Sequence, residues 1–248
     1  MPFNVILKMK VNRSLALLLG IILIATVWYA EKTKQIPQYG IVLYQMGLSC
    51  EGECGQNKQL QYFQRAVRYN PKLRDTYYND KLSDAHYRSA LIYEEIGDHA
   101  KALRSFIKAT EVNQNARAYY KIGLYYFREE SYGHALRYFR RSYRVRINCP
   151  DDTLYYVAQI YDKTKEYNLA ISNYLDFVEA HVEYASEVYP RIAEICHVLN
   201  DADVVLHKLR ILRREHKNDL ADQLEHALKA VQSKIYYRKE LQKTNKRL

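Results

Sequence analysis

The sequence is poor in the residues that punctuate a chain. Eight glycines and five prolines in 248 residues are too few for a disordered chain or a turn-rich all-β fold. It contains no H-E-x-x-H, no G-x-S-x-G and no phosphate-cradling glycine loop, so no enzymatic activity is expected. The four cysteines do not form paired C-x2-C motifs, and zinc is not expected. His197, His207, His216 and His226 recur every nine or ten residues. Helix geometry does not bring that spacing to one metal, and these are read as exposed residues. The sequence therefore calls for no cofactor and no metal.

Charge is missing altogether from one stretch, Ser14–Ala30, which is 17 residues long. That is at the short end of the roughly 17–25 residues that span a bilayer as a helix. Lys8, Lys10 and Arg13 precede it, and Trp28 and Tyr29 close it, where interfacial aromatics are favoured. Three readings fit: an uncleaved anchor, a cleaved signal peptide and a buried core helix. The run is long for a signal, Trp28 stands badly for cleavage after Ala30, and no cysteine follows to carry a lipid. A buried helix would leave no face for water. The expectation is a cytoplasmic N-terminus over 1–13 and a transmembrane anchor over 14–30. The rest of the chain would then lie on the extracytoplasmic side, periplasmic in a bacterium. Secretion after cleavage, or an organelle anchor with a cytosolic domain, are the alternatives.

What the chain has in excess is tyrosine, 25 residues of it, and positive charge, a net +10. Tyrosine suits half-buried helix faces and binding surfaces. The charge is uneven: from Lys208 onward there are twelve Lys/Arg against five Asp/Glu. The terminal KIYYRKELQKTNKRL can touch anionic lipid head groups or nucleic acid, or it is a solvated helix end. The second is preferred, and a nucleic-acid partner is not expected.

A rhythm recurs with a period of 33–35 residues. Ala102, Ala135 and Ala170 keep that spacing, as do Phe106, Phe139 and Tyr174 four residues later and Tyr93, Tyr126 and Tyr161 nine residues earlier. The pattern describes a helical hairpin. A small residue stands where two helices approach, and a ring one turn later fills the space beside it. The turns fall at Ile96–Asp98, Glu129–Ser131 and Thr164–Glu166, and Gly97 can take the left-handed conformation that ends a helix.

This rhythm resembles the tetratricopeptide repeat (TPR). The copy over 83–115 carries Ala90, Tyr93, Ala102, Phe106 and Ala109. The copy over 116–150 carries Tyr119, Ile122, Gly123, Tyr126, Ala135, Phe139 and Ser142. The copy over 151–184 carries Leu154, Val157, Ala158, Tyr161, Ala170 and Tyr174, but Phe177 replaces a small residue, which implies altered packing between repeats. Two degenerate copies flank these. In 40–73, Leu43, Met46, Gly47, Phe63, Ala66 and Pro71 fit, while Gln59 at the alanine position weakens the start of the second helix. About nine residues, Arg74–Leu82, are inserted after it. In 186–218, Tyr189, Ile192, Ala193, Leu209 and Leu212 fit. Leu220, Leu224, Leu228, Val231 and Ile235 then mark a capping helix within 219–248. The resemblance implies an all-α, right-handed superhelix of stacked helix-turn-helix repeats over 40–218, preceded by one transmembrane helix.

It also implies a groove lined by the first helices. The fifth position of four copies is Tyr44, Tyr87, Tyr120 and Tyr155. These rings either capture a peptide or pack adjacent repeats. Arg88, Arg117, Lys121 and Arg128 lie on or beside the same face and would favour an acidic partner, unless they are merely solvated. The family's two-carboxylate clamp is not expected, because tyrosine and Leu or Gln stand where it needs Lys and Asn. Cys50 and Cys54 can form a disulfide around the first turn outside the cytoplasm, or remain thiols. Cys149 and Cys196 are read as small buried hydrophobes. The expected function is a membrane-tethered scaffold binding a protein, peptide or helix in a tyrosine-lined groove, as in assembly of an envelope or secretion complex. The alternative is a secreted repeat protein or carrier binding an acidic polymer or a lipid surface through its basic residues.

Overall fold

The computed structural model describes residues 22, 24–25, 27–29, 37–69 and 76–245, with side chains for 39–69 and 77–232 within the last two ranges. Every regular element among them is a helix. The chain divides into two compact units, Met1–Asn115 and Ala116–Leu248.

The first unit holds α1 (Pro37–Ser49), α2 (Gln56–Arg68), α3 (Thr76–Ile96) and α4 (His99–Val112). They pair as two hairpins around Leu43, Tyr44, Phe63, Ala66, Ala85 and Ile92. Gly47 is needed for this: a Cβ there would sit 2.6 Å from the Phe63 ring. The second helix of the first hairpin, doubtful at its start by sequence, begins at Gln56 and runs through Gln59. The reason is that Gln59 Nε2 donates to the Gly47 carbonyl at 3.2 Å, so the long amide satisfies the end of α1. The insertion does not form a loop throughout. From Thr76 it extends α3 to 21 residues, burying Tyr78 and Leu82, with Tyr78 Oη donating to the Tyr69 carbonyl.

The second unit holds α5 (Ala116–Arg128), α6 (Tyr132–Val145), α7 (Thr153–Lys163), α8 (Tyr167–Ala180), α9 (Ala185–Leu199), α10 (Asp203–Arg214) and α11 (Asn218–Asn245), with a 3-10 turn at Val182–Tyr184. Here Gly123 admits Phe139, whose ring lies 2.8 Å from where a Cβ would stand. Ala135, Ala170 and Val205 are fully buried. Val205 continues the alanine series at a spacing of 35, a position hidden in the sequence because valine is not the expected small residue. Helix α11 buries Leu220, Leu224 and Ala227, and Leu228 and Val231 pack beside them; the Ile235 side chain lies outside the described residues. Ion pairs brace the packing: Arg191 meets Asp162 through two nitrogens at 2.8 Å, and Lys217 meets Glu179 at 2.8 Å.

One turn chemistry closes the hairpins. Gly97, Glu130, Lys165 and Asn200 all have φ between 53° and 85°. The next residue's N–H then reaches back five residues: Asp98 to the Tyr93 carbonyl (2.9 Å), Ser131 to Tyr126 (2.9 Å), Glu166 to Tyr161 (2.8 Å) and Asp201 to Cys196 (3.1 Å). This bond satisfies a carbonyl that the helix end leaves open.

Most of the hydrophobic run over 14–30 lies outside the described residues. Its described positions, among them Trp28 and Tyr29, are helical and exposed. No helix among the described residues is long and apolar enough to cross a membrane.

Candidate functional site

The four tyrosines expected to line a groove share one contact. Each packs on the ring nineteen residues later, in the second helix of its own hairpin: Tyr44 on Phe63 (6.0 Å between centroids), Tyr87 on Phe106 (5.6 Å), Tyr120 on Phe139 (5.7 Å) and Tyr155 on Tyr174 (5.9 Å). Tyr44, Tyr87 and Tyr120 are 5–9% exposed, and Tyr155 is half-buried.

Two of the hydroxyls also tie one hairpin to the next. Tyr44 Oη donates to Asp84 Oδ2 at 2.7 Å, and Tyr120 Oη donates to Asp152 Oδ2 at 2.5 Å. Both carboxylates stand at the second position of the following copy. Burial, then the Asp84 carboxylate, pushes the Tyr44 phenol up to about 12. Burial and Asp152 move Tyr120 upward as well. A second link joins the same hairpins. Gln64 Nε2 donates to Tyr93 Oη at 2.7 Å, and Arg140 donates to Tyr161 Oη. Sequence reasoning missed Asp84, Asp152, Gln64 and Arg140. The only available signal was their repeat position, because each partner lies 21–40 residues away.

The basic residues expected beside the same face differ in their surroundings. Arg88 is bound by Nε to Asp84 at 2.7 Å and approaches Glu51 at 3.5 Å. Lys121 and Arg117 are half-buried and Arg128 is exposed. The structure pairs Cys50 with Cys54, Cα atoms 5.2 Å apart, within the range of a disulfide. Cys196 is buried, and burial pushes its thiol up to about 11. Cys149 departs from its expected role as a buried hydrophobe. It is half-buried at a polar corner, 3.5 Å from Thr153 Oγ1 and 3.7 Å from Ser142 Oγ, because the α6–α7 loop carries it between the hydroxyls of the two helices. His197, His207, His216 and His226 are exposed. Among the described residues no group of three His, Cys, Asp or Glu could hold a metal ion.

The hairpin mouths differ. In the second hairpin Ser83 Oγ donates to the Ala109 carbonyl at 2.8 Å. In the third, Ser142 Oγ donates to the Ala116 carbonyl at 2.8 Å. These are the same two repeat positions with donor and acceptor exchanged. In the fourth, Asp151 and Phe177 occupy them, and a cavity of about 440 Å³ opens beside both.

The tetratricopeptide repeat profile matches residues 83–115 and 116–146. These two hairpins are similar to tetratricopeptide repeats. The TPR fold extends beyond them. A crystal structure of MamA protein superimposes with a TM-score of 0.53 at 15% identity, over 82% of this chain and 97% of that one. YrrB, described as a TPR protein with an unusual peptide-binding site, gives 0.53 at 14% identity over 81% and 97%. A MamA RS-1 double mutant gives 0.50 at 13% over 79% and 95%. At these identities the likeness is one of fold, an all-α TPR helical repeat. No curated protein sequence matches the chain.

Proposed function

We propose that the chain is a membrane-tethered scaffold whose first helices engage a peptide or helix of a partner protein in assembly of an envelope or secretion complex. The observation that carries this reading is the succession of TPR hairpins, each presenting a first helix stiffened by a tyrosine–ring contact. A preordered face loses less entropy on binding than a mobile one. The fold likeness to YrrB, whose description includes a peptide-binding site, is consistent with it. Tethering rests on the uncharged run at 14–30 and its basic flank. The Cys50–Cys54 pairing fits an oxidising, extracytoplasmic compartment.

Cross-linking mass spectrometry on the full-length chain in its own membranes tests the binding face. Partner cross-links concentrated on α1, α3, α5 and α7 support it; cross-links confined to the second helices overturn it. Carbonate extraction with protease protection tests the tether. A chain released to the supernatant, or digested without permeabilisation from the cytoplasmic side, would refute that topology.

A further inference from the structure

The fourth hairpin breaks the repeat at three places that meet in space. First, the small residue expected at the second-helix mouth is Phe177, which is buried and packs on Tyr155 (5.2 Å), His181 (5.1 Å) and Tyr184 (5.4 Å). Second, its first position is Asp151, so the serine-to-carbonyl bond that closes the second and third hairpins is not made. Third, the tyrosine-to-carboxylate link made by the first and third hairpins is absent here. Tyr44 and Tyr120 each bond the second-position carboxylate of the next copy. Tyr155 and its counterpart Glu187 make no such bond. The 3-10 turn at Val182–Tyr184 stands between α8 and α9, and the Phe177 ring packs on its Tyr184.

What remains is the cavity of about 440 Å³, within the range of roughly 300–1,000 Å³ typical of ligand pockets. Its floor and walls are aromatic: Tyr155, Tyr156, Phe177 and Tyr184 line it. Its charges are Asp151, Asp152, Glu183 and Glu187, and no lysine or arginine lines it. His181 is the one basic-type ring present, 3.9 Å from Glu183. Four carboxylates and no lysine or arginine border the cavity, so its lining is acidic in a chain of net charge +10. Asp152 does not cap α7 with its side chain; it is held by Tyr120 instead. Ring faces attract cations through their quadrupole, most strongly when water is excluded, and carboxylates at the rim add direct Coulomb attraction.

We infer that this cavity is a receptor for a cationic side chain, a lysine or arginine carried by a basic segment of the partner protein. The inference rests on the scaffold reading above and gives the partner's chemistry at one point of the face. It reverses the charge that Arg88, Arg117, Lys121 and Arg128 suggested from sequence.

Fluorescence anisotropy on the full-length chain in detergent micelles tests it, using three fluorescein-labelled peptides: alternating Ala-Lys, Ala-Gln and Ala-Glu decamers. The Ala-Lys peptide is expected to bind at least tenfold more tightly than the others. Asp151→Asn with Glu187→Gln should weaken it about tenfold, and so should Tyr184→Ala, a ring 45% exposed whose removal leaves the core intact. Glu111→Gln with Glu129→Gln, the same change in charge elsewhere, should weaken it less than twofold. Equal binding of the three peptides, tighter binding of Ala-Glu, or equal losses in both double variants would overturn the inference. Partner cross-links on the first helices that persist in Asp151→Asn/Glu187→Gln would overturn the cationic receptor alone and leave the scaffold standing.

Discussion

A tyrosine at a repeated position has two parts with separate fates. The ring packs within its hairpin in all four copies, while the hydroxyl does different things. In Tyr120 it donates to a carboxylate, and in Tyr155 it makes no hydrogen bond to Glu187. Removing the oxygen should therefore cost different amounts at equivalent positions. Tyr120→Phe should lose about 1 kcal/mol, the net worth of a hydrogen bond to a partly solvated charge. Tyr155→Phe should lose under ~0.3 kcal/mol. Urea denaturation of the two variants measures this, and equal losses would refute the assignment. The ring positions were legible from the spacing of Phe106, Phe139 and Tyr174. The bond to Asp152 was not, because 32 residues separate it from Tyr120 and only the packing of successive hairpins brings the two together.

At the scale of the element, helices here end by one device executed with different residues. The left-handed position is Gly97 in one turn but Glu130 and Lys165 in the equivalent turns, with φ of 54° and 63°. A side chain in that region costs roughly 1–2 kcal/mol, and glycine offsets part of this through its looser unfolded chain. Glu130→Gly and Lys165→Gly should each stabilise the protein by about 0.5–1 kcal/mol. In thermal unfolding the midpoint should rise by about 1–4 °C per substitution, and a fall would show that these side chains do more than occupy a turn. The ends of α3, α5 and α7 follow from tyrosine and turn positions readable in the sequence, but the start of α3 at Thr76, inside the expected insertion, does not. The start of α2 does not either, since it depends on Gln59 reaching the Gly47 carbonyl, a contact between two helices.

At the scale of the molecule, the two units answer acid differently. In the first, burial and then the nearby Lys108 hold the His86 imidazole down at about 4, from an ordinary 6.5. The unfolded chain then binds a proton between those values that the folded unit refuses. Stability is full above about 6.5 and declines as pH falls toward 4, by on the order of 2 kcal/mol. In the second unit, hydrogen bonds from Lys208 and Lys217 hold the Glu179 carboxyl below its usual range. That contribution is present above the ordinary carboxylate value and is lost only as pH falls below it. Hydrogen exchange at pH 5 against pH 7, corrected for intrinsic rates, should therefore show loosening in α3 and α4 before α8 and α10. Replacing His86 with Gln should flatten the first response. Uniform loosening of both units would contradict this ordering.

The sequence by itself determined the helical hairpin, its period and its turns. Each depends on residues within about 35 positions that meet through a single helix–helix contact, and small and large residues at fixed offsets encode that contact. It also marked Phe177 as an exception without saying what the exception makes. Only the tertiary structure decided that Tyr44 and Tyr120 spend their hydroxyls on Asp84 and Asp152. It also decided that the fourth mouth stays open and that carboxylates rather than arginines surround the opening. Those outcomes depend on how one hairpin sits on the next. No local pattern carries that placement.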